Sequence, residues 1–175
     1  AGFDFQKVVH ARRPEEIGRY DAVFTATGCR VKTEGARMEI TFPGVQMGIF
    51  AGELRMTVYR GTNLFRQEVI AKTESPWVAY IYQGGLKGFS LDDFNAVEWR
   101  DVGHQPQRAD FAGAPDAEPV PLRARNRVAV ASGPRGSVAV LPPPHVFFFA
   151  RQLEINLGFV WQQKQTERSF ALGVR

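Results

Sequence analysis

The stretch Arg37-Met38-Glu39-Ile40-Thr41-Phe42 decides the fold class of this chain. Its even-numbered side chains are apolar, and its odd-numbered side chains are charged or polar. Successive side chains of an extended strand point to opposite faces of a sheet, so this alternation predicts a β-strand with one face toward a core and the other toward water. An amphipathic helix would instead repeat its apolar residues three and four positions apart.

The same alternation continues on both sides of this strand. Short segments rich in Gly, Pro, Asn or Ser separate the strands at intervals of roughly 8–12 residues, which is typical of an antiparallel meander. A second clear strand covers Leu54–Tyr59, and Pro43-Gly44 is predicted as a turn between strands. The side chains expected in the core are Met38, Ile40, Phe42, Leu54, Met56 and Val58.

The second half of the chain breaks this rhythm and then resumes it. Residues 99–118 are rich in Gly, Pro and polar residues and are predicted as a long loop, while a capping box at Ser90 predicts a short helix near residues 91–97. Strand patterns return from Val120 onward and include the apolar run His145–Arg151. The prediction is an all-β protein, an antiparallel two-sheet β-sandwich of about eleven strands with at most two short helices.

Length and composition are those of a globular domain. The chain has 175 residues, of which 44% are hydrophobic and 23% charged, and a formal net charge of +4. Residues 1–19 are predicted to lead into a single β-sandwich domain over residues 20–175, because that length supports one sizeable core. Since the chain starts at Ala1 without a methionine and ends on a strand pattern, we expect it to be part of a longer protein, with the remainder of that parent chain as a partner.

Several chemistries find little support in the sequence. His10, His104 and His145 are scattered without the spacing of metal ligands, so neither a metal nor another cofactor is predicted. Cys29 is the single cysteine and lies in a predicted strand, like a small core residue. No apolar stretch is long enough to cross a membrane, so no membrane partner is expected. Basic and acidic residues are interspersed, and nucleic acid is not expected as a partner.

The richest polar segment surrounds one turn and the strand that follows it. A tight turn is predicted to join the strands Leu64–Thr73 and Trp77–Tyr82, and hairpin pairing in the right register would bring their polar and aromatic side chains together. Aromatic rings beside arginine suit sugars, because a pyranose offers C–H patches and hydroxyls, and a uronate adds a carboxylate for the guanidinium. The predicted ligand-binding residues are Arg60, Asn63, Arg66, Glu68, Tyr80 and Tyr82. The alternative is a tyrosine-rich sheet with surface ion pairs, above all between Arg66 and Glu68.

The strands around Phe42-Pro43-Gly44-Val45, the segment Leu54–Asn63 and the run Phe147–Trp161 resemble the β-supersandwich domains of the galactose-mutarotase-like superfamily. The resemblance covers residues 20–175. In that superfamily such domains occur in glycoside hydrolases, polysaccharide lyases and sugar epimerases, often beside a catalytic domain. The two catalytic histidines and the glutamate of mutarotases have no counterpart in the histidine spacing of this chain, so no catalytic residue is carried over.

Three functions are compatible with these patterns. The first is a carbohydrate-binding or carbohydrate-processing domain of a secreted or periplasmic polysaccharide-active protein, which the resemblance extends to a glycoside hydrolase or polysaccharide lyase. The second is a structural or protein-interaction β-sandwich without catalytic activity, and the third is an apolar-ligand-binding β protein that uses the interior beneath Phe147-Phe148-Phe149. A face that exposes Arg66, Glu68, Tyr80 and Tyr82 together would favour the first function, whereas burial or dispersal of these residues would favour the second.

Overall fold

The computed structural model describes residues 15, 17–142 and 159–175. These residues form thirteen β-strands in three antiparallel sheets, with a short 3₁₀ helix at Arg125–Arg127. The all-β, antiparallel class predicted from the sequence is confirmed, although the strands outnumber the eleven expected. The predicted strand His145–Arg151 lies outside the described residues.

The chain divides into two compact units, an N-terminal unit of residues 1–79 and a C-terminal unit of residues 80–175. In the N-terminal unit the described residues form one sheet, in which β3 pairs with β1, β2 and β4, and β4 pairs with β5. The single domain expected over residues 20–175 stays a prediction. The strands of this sheet are β1 (Val23–Phe24), β2 (Arg30–Glu34), β3 (Arg37–Met47), β4 (Phe50–Tyr59) and β5 (Phe65–Lys72).

The pairing of β3 with β4 places the six predicted core residues on one face of this sheet. They form the cross-strand pairs Met38–Val58, Ile40–Met56 and Phe42–Leu54. The outer strands add Val31 opposite Ile40, Phe65 opposite Val58 and Val69 opposite Leu54. We call these nine side chains the apolar face.

The prediction that the first six of these residues form the core is wrong. Met38 and Val58 are 37% and 39% exposed, and the other four are only half-buried. The physical reason is that the described residues of this unit form a single sheet, so they supply no second sheet over these six side chains. Phe42→Ala is therefore expected to cost less than the roughly 3–5 kcal/mol of a fully buried ring.

A β-bulge at Gly44 keeps the apolar face continuous along β3. Pro43 pairs with Glu53 and Val45 pairs with Gly52, so Gly44 is the extra residue. Without it, Val45 would point to the face opposite Phe42, because their numbers differ by three. Gly44 has a φ of +88°, which favours glycine, and Val45 is 2% exposed. The turn predicted at Pro43-Gly44 is thus a bulge inside one strand.

The C-terminal unit is a two-layer β-sandwich of two four-stranded sheets. Both sheets contribute to one core, whose largest fully buried side chains include Phe170, Leu172, Val97 and Val160. One sheet has the order β11-β10-β7-β8 and the other β6-β13-β12-β9. The strands are β6 (Gly84–Ser90), β7 (Ala96–Arg100), β8 (Pro106–Asp110), β9 (Val120–Leu122), β10 (Ala129–Gly133), β11 (Gly136–Val140), β12 (Val160–Thr166) and β13 (Ser169–Val174).

Three local predictions for the chain after β5 are wrong. Trp77–Tyr82 forms no strand, and the strand pattern begins only at Gly84. The helix expected near residues 91–97 is a turn followed by β7, because Ala96 and Val97 are fully buried in the sheet. The long loop expected over residues 99–118 contains β8, which forms a hairpin with β7.

Candidate functional site

The structure brings two of the six predicted site residues into contact. Arg66 and Glu68 lie two positions apart on β5, and the Arg66 Nη2 atom donates a hydrogen bond to Glu68 Oε1 at 2.5 Å. This confirms the ion pair predicted from their spacing. Arg60 and Asn63 are exposed in the turn that links β4 to β5, where the Arg60 amide donates to the Ala36 carbonyl.

Tyr80 and Tyr82 do not form the hairpin that was expected to join them to β5. Residues 78–83 are not a strand, and β5 pairs with β4 alone within the described part of the chain. Tyr80 is 72% exposed and Tyr82 is 40% exposed, and partial burial raises the pKa of the Tyr82 hydroxyl. Both tyrosines belong to the C-terminal unit. The one sheet face with Arg66, Glu68, Tyr80 and Tyr82 that would have favoured carbohydrate binding is therefore not formed, and the binding role of the six residues stays a prediction.

The face of the N-terminal sheet opposite the apolar face carries charges that neutralise one another. Glu53 accepts hydrogen bonds from Arg30 at 2.5 Å and from Arg55 at 3.4 Å. Arg37 donates to Glu34 at 2.7 Å, and this hydrogen bond lowers the pKa of the Glu34 carboxyl. Because these arginines already face carboxylates, this surface offers few free cations to an anionic ligand.

A groove of about 660 Å³ lies in the C-terminal unit, where the β7–β8 hairpin meets β10 and the 3₁₀ turn. Cross-strand pairs join Glu98 to Arg108, Arg100 to Pro106 and Glu98 to Val130, so these five residues share the face of the sheet opposite the core. We call this site the arginine groove. It is lined by Glu98, Trp99, Arg100, Pro106, Gln107, Arg108, Arg125, Asn126, Val128 and Val130.

The three arginines of this groove differ in how much of their charge is already engaged. Arg108 donates to Glu98 at 2.9 Å and to Asp110 at 2.8 Å, and the bond to Asp110 raises its pKa above the ordinary value. Arg100 donates to a neutral group, the His104 carbonyl, at 3.0 Å. Arg125 has no hydrogen bond or ion pair within the described residues. Its guanidinium is therefore the one most available to a ligand.

The backbone around Arg125 turns sharply at the edge of the groove. Asn126 and Arg127 both have left-handed backbone angles, with φ of 58° and 55°. Asn adopts this region more readily than other non-glycine residues, whereas for Arg it is uncommon. The Arg127 guanidinium lies 5.0 Å from the centre of the Phe159 ring, a cation–π contact that helps to hold the turn.

Asp101 shapes the turn that joins β7 to β8 beside the groove. Its Oδ1 atom accepts the amides of Gly103 and Gln105, both at 2.9 Å, and its Oδ2 atom accepts the Gln107 side-chain amide at 2.8 Å. The hydrogen bond from the Gln105 amide is the largest of the effects that lower the pKa of the Asp101 carboxyl. The ionised carboxylate thus orders the loop between Arg100 and Pro106.

The lowered pKa of Asp101 predicts a loss of stability in acid. A depressed folded-state pKa contributes stability above the unfolded value of about 3.9, and this contribution disappears as the pH falls through the lower folded value. We expect the stability difference between wild type and Asp101→Asn to be largest above about pH 5 and to shrink toward pH 2.5. Urea denaturation of both proteins across this pH range measures the stability difference. A difference independent of pH would contradict the lowered pKa of the Asp101 carboxyl.

The arginine groove was missed in the sequence for an identifiable reason. Arg123, Arg125 and Arg127 are the densest basic stretch of the sequence, but the strand pattern that returns from Val120 onward gives no sign of the turn at Arg125–Arg127. Arg100 and Arg108 both fall within the segment 99–118 that is predicted as a loop, so their approach across a hairpin was hidden. If the Gln107-Arg108-Ala109 alternation is interpreted as a strand, it predicts the β7–β8 hairpin, which forms one side of the groove.

The chemistry of the groove is that of a binding site for an anion with an apolar flank. Arg100 and Arg125 supply donors, whereas Val128, Val130 and Pro106 supply apolar contact. Among the described residues no cluster of three or more His, Cys, Asp or Glu could hold a metal ion, and no helix is long and apolar enough to span a membrane. The chain matches no protein-family model, no curated protein and no solved structure.

Proposed function

We propose that the C-terminal unit binds an acidic carbohydrate, such as a uronate-containing oligosaccharide, in the arginine groove. The observation that carries the proposal is the unengaged guanidinium of Arg125 in a groove that also offers the apolar surface of Val128, Val130 and Pro106. A guanidinium binds a carboxylate through two parallel hydrogen bonds, which gives both strength and orientation.

The other features of the groove suit a sugar ring. A pyranose has apolar C–H patches that would pack on valine and proline, and its hydroxyls would bond to Glu98. Because Glu98 is already hydrogen-bonded to Arg108, its carboxylate is held in place and partly neutralised. The groove volume of about 660 Å³ falls within the range of small-molecule sites.

The proposal extends to the parent protein. We infer that this domain belongs to a secreted or periplasmic polysaccharide-active protein, in line with the resemblance to β-supersandwich domains. The catalytic residues of such a protein, a glycoside hydrolase or a polysaccharide lyase, would then lie outside the arginine groove, because Glu98, the one carboxylate among the described residues that line it, is held by Arg108.

Arg125→Gln is expected to weaken the binding of an oligogalacturonate at least about tenfold, since a hydrogen bond to a charged group contributes roughly 1.5–3 kcal/mol. Binding of the matching neutral oligogalactan should change little, because it offers no carboxylate. Isothermal titration calorimetry of the wild type and Arg125→Gln with the acidic and the neutral sugar measures the two effects.

Arg135→Gln is the matched control. Arg135 is an exposed arginine of the same unit, paired loosely with Asp93 at 3.5 Å and absent from the groove, so its loss should leave binding unchanged. Equal affinity of wild type and Arg125→Gln for the acidic sugar would overturn the proposal. Binding of single-stranded DNA or an acidic peptide as tight as that of the oligogalacturonate would also overturn it, because it would assign the groove to anions in general.

A further inference from the structure

The apolar face of the N-terminal sheet is unusually exposed. Val31 on β2 is 58% exposed, Phe65 on β5 is 52% exposed, and Val58 between them is 39% exposed. These side chains lie on three different strands, so the exposure runs across the sheet and is not a feature of one edge. Contiguous apolar exposure of this kind marks a contact surface.

The apolar face carries no charge at any paired position of the described strands. The polar side chains that the ladder places among its members are Thr33, opposite Met38, and Gln67, opposite Met56. The opposite face of the same strands holds ion pairs such as Arg30–Glu53 and Arg66–Glu68. One face of the sheet therefore carries ion pairs, among which Thr41 and Thr57 are buried, and the other face is apolar.

We propose that the apolar face packs against the same face of a second copy of this chain, forming a sheet-on-sheet interface. Four strands of 5, 11, 10 and 8 residues make up this face. At about 3.4 Å per residue and about 4.8 Å between strands, they present roughly 550 Å² of flat area per copy. Two such faces bury at least about 1,100 Å², which passes the roughly 1,000 Å² expected of a specific interface.

The absence of charge favours a second copy over an unrelated partner. A two-fold interface brings the same patch of both copies together, so a surface bearing one sign of charge would repel itself. The apolar face avoids this penalty, and it lacks the charged side chains that would select and orient a different protein. Sheets pack face to face about 10 Å apart with their side chains interdigitating, which methionine, valine and leucine side chains allow.

Phe65→Lys tests this interface against a matched control on the same strand. Lysine at position 65 would be buried in the dimer without a partner, so we expect the dissociation constant to rise at least about a hundredfold. Ile70 is also on β5 and is 40% exposed, but it pairs with Glu53 on the charged face. Ile70→Lys should therefore leave association unchanged.

Sedimentation equilibrium of the full chain between about 1 and 200 µM measures the mass of the wild-type and variant proteins in solution. We expect a dimer for wild type and Ile70→Lys and a monomer for Phe65→Lys, all with the same far-UV circular dichroism. Val31→Lys, on β2 of the same face, replaces Phe65→Lys if that variant does not fold. A monomeric wild type, or a Phe65→Lys variant that stays dimeric, would overturn the proposal. This outcome is independent of sugar binding, since no residue of the arginine groove lies on the N-terminal sheet.

Discussion

Phe170→Ala should lower the free energy of unfolding by about 3–5 kcal/mol, the cost of emptying the space of a fully buried aromatic ring. Phe170 is fully buried on β13. Its ring stacks on Phe89 with centroids 5.0 Å apart and on Phe111 with centroids 4.1 Å apart. Because three rings from three parts of the chain meet there, no single neighbour can move to fill the cavity.

Phe111→Ala is the control for this prediction. Phe111 contacts the same ring but is only half-buried, so less area returns to water and solvent can enter the vacated space. We expect a loss of about 1–2 kcal/mol, less than half that of Phe170→Ala. Urea denaturation followed by far-UV circular dichroism measures both. A loss below about 1 kcal/mol for Phe170→Ala would mean that the stacked rings are not the centre of the sandwich.

Gly173→Val should cost about 3 kcal/mol, because it overfills a well-packed site in which neither neighbour can give way. Gly173 lies on β13 between Gly85 of β6 and Trp161 of β12. A Cβ atom at this position would lie 2.5 Å from the Gly84 carbonyl oxygen and 2.5 Å from the Trp161 ring. The first contact is backbone, and the indole is held by a 3.1 Å hydrogen bond from its Nε1 to the Val174 carbonyl.

Gly28→Val is the control for this prediction. It shows whether a loss of stability in Gly173→Val comes from steric crowding or from valine replacing glycine in general. A Cβ atom at Gly28 meets nothing within 4 Å, and we expect Gly28→Val to change stability by less than about 0.5 kcal/mol. Tryptophan fluorescence in a background with Trp77 and Trp99 replaced by Phe adds a second readout, since expulsion of the buried Trp161 indole in Gly173→Val should shift its emission to longer wavelength. Equal stabilities of the two variants would show that the indole and β6 accommodate the larger side chain.

The alternation of side chains was sufficient to predict most strands. Arg37–Phe42 and Leu54–Tyr59 both lie in strands, and their apolar residues share one face. Alternation is a local property, because each side chain's direction depends only on the backbone of its own strand. Burial is not local, and the same residues remain partly exposed since the described part of their unit forms one sheet.

The candidate site was less accessible to prediction from the sequence. The Arg66–Glu68 pair lies within one strand and was found, whereas the pairing of Tyr80 and Tyr82 with that strand was wrong. The arginine groove is lined by both Arg100 and Arg125, which are 25 positions apart in the sequence, and no local pattern carries that information.

The sequence by itself determined the all-β class, the antiparallel meander and the side of each strand that is apolar. Only the tertiary structure decided that Pro43-Gly44 is a bulge and that Trp77–Tyr82 forms no strand. It alone also decided that the arginines of the C-terminal unit converge on one groove. The physical reason is that alternation is set by the extended backbone within a few residues, whereas the free energy of pairing, layering and burial depends on segments distant in the chain.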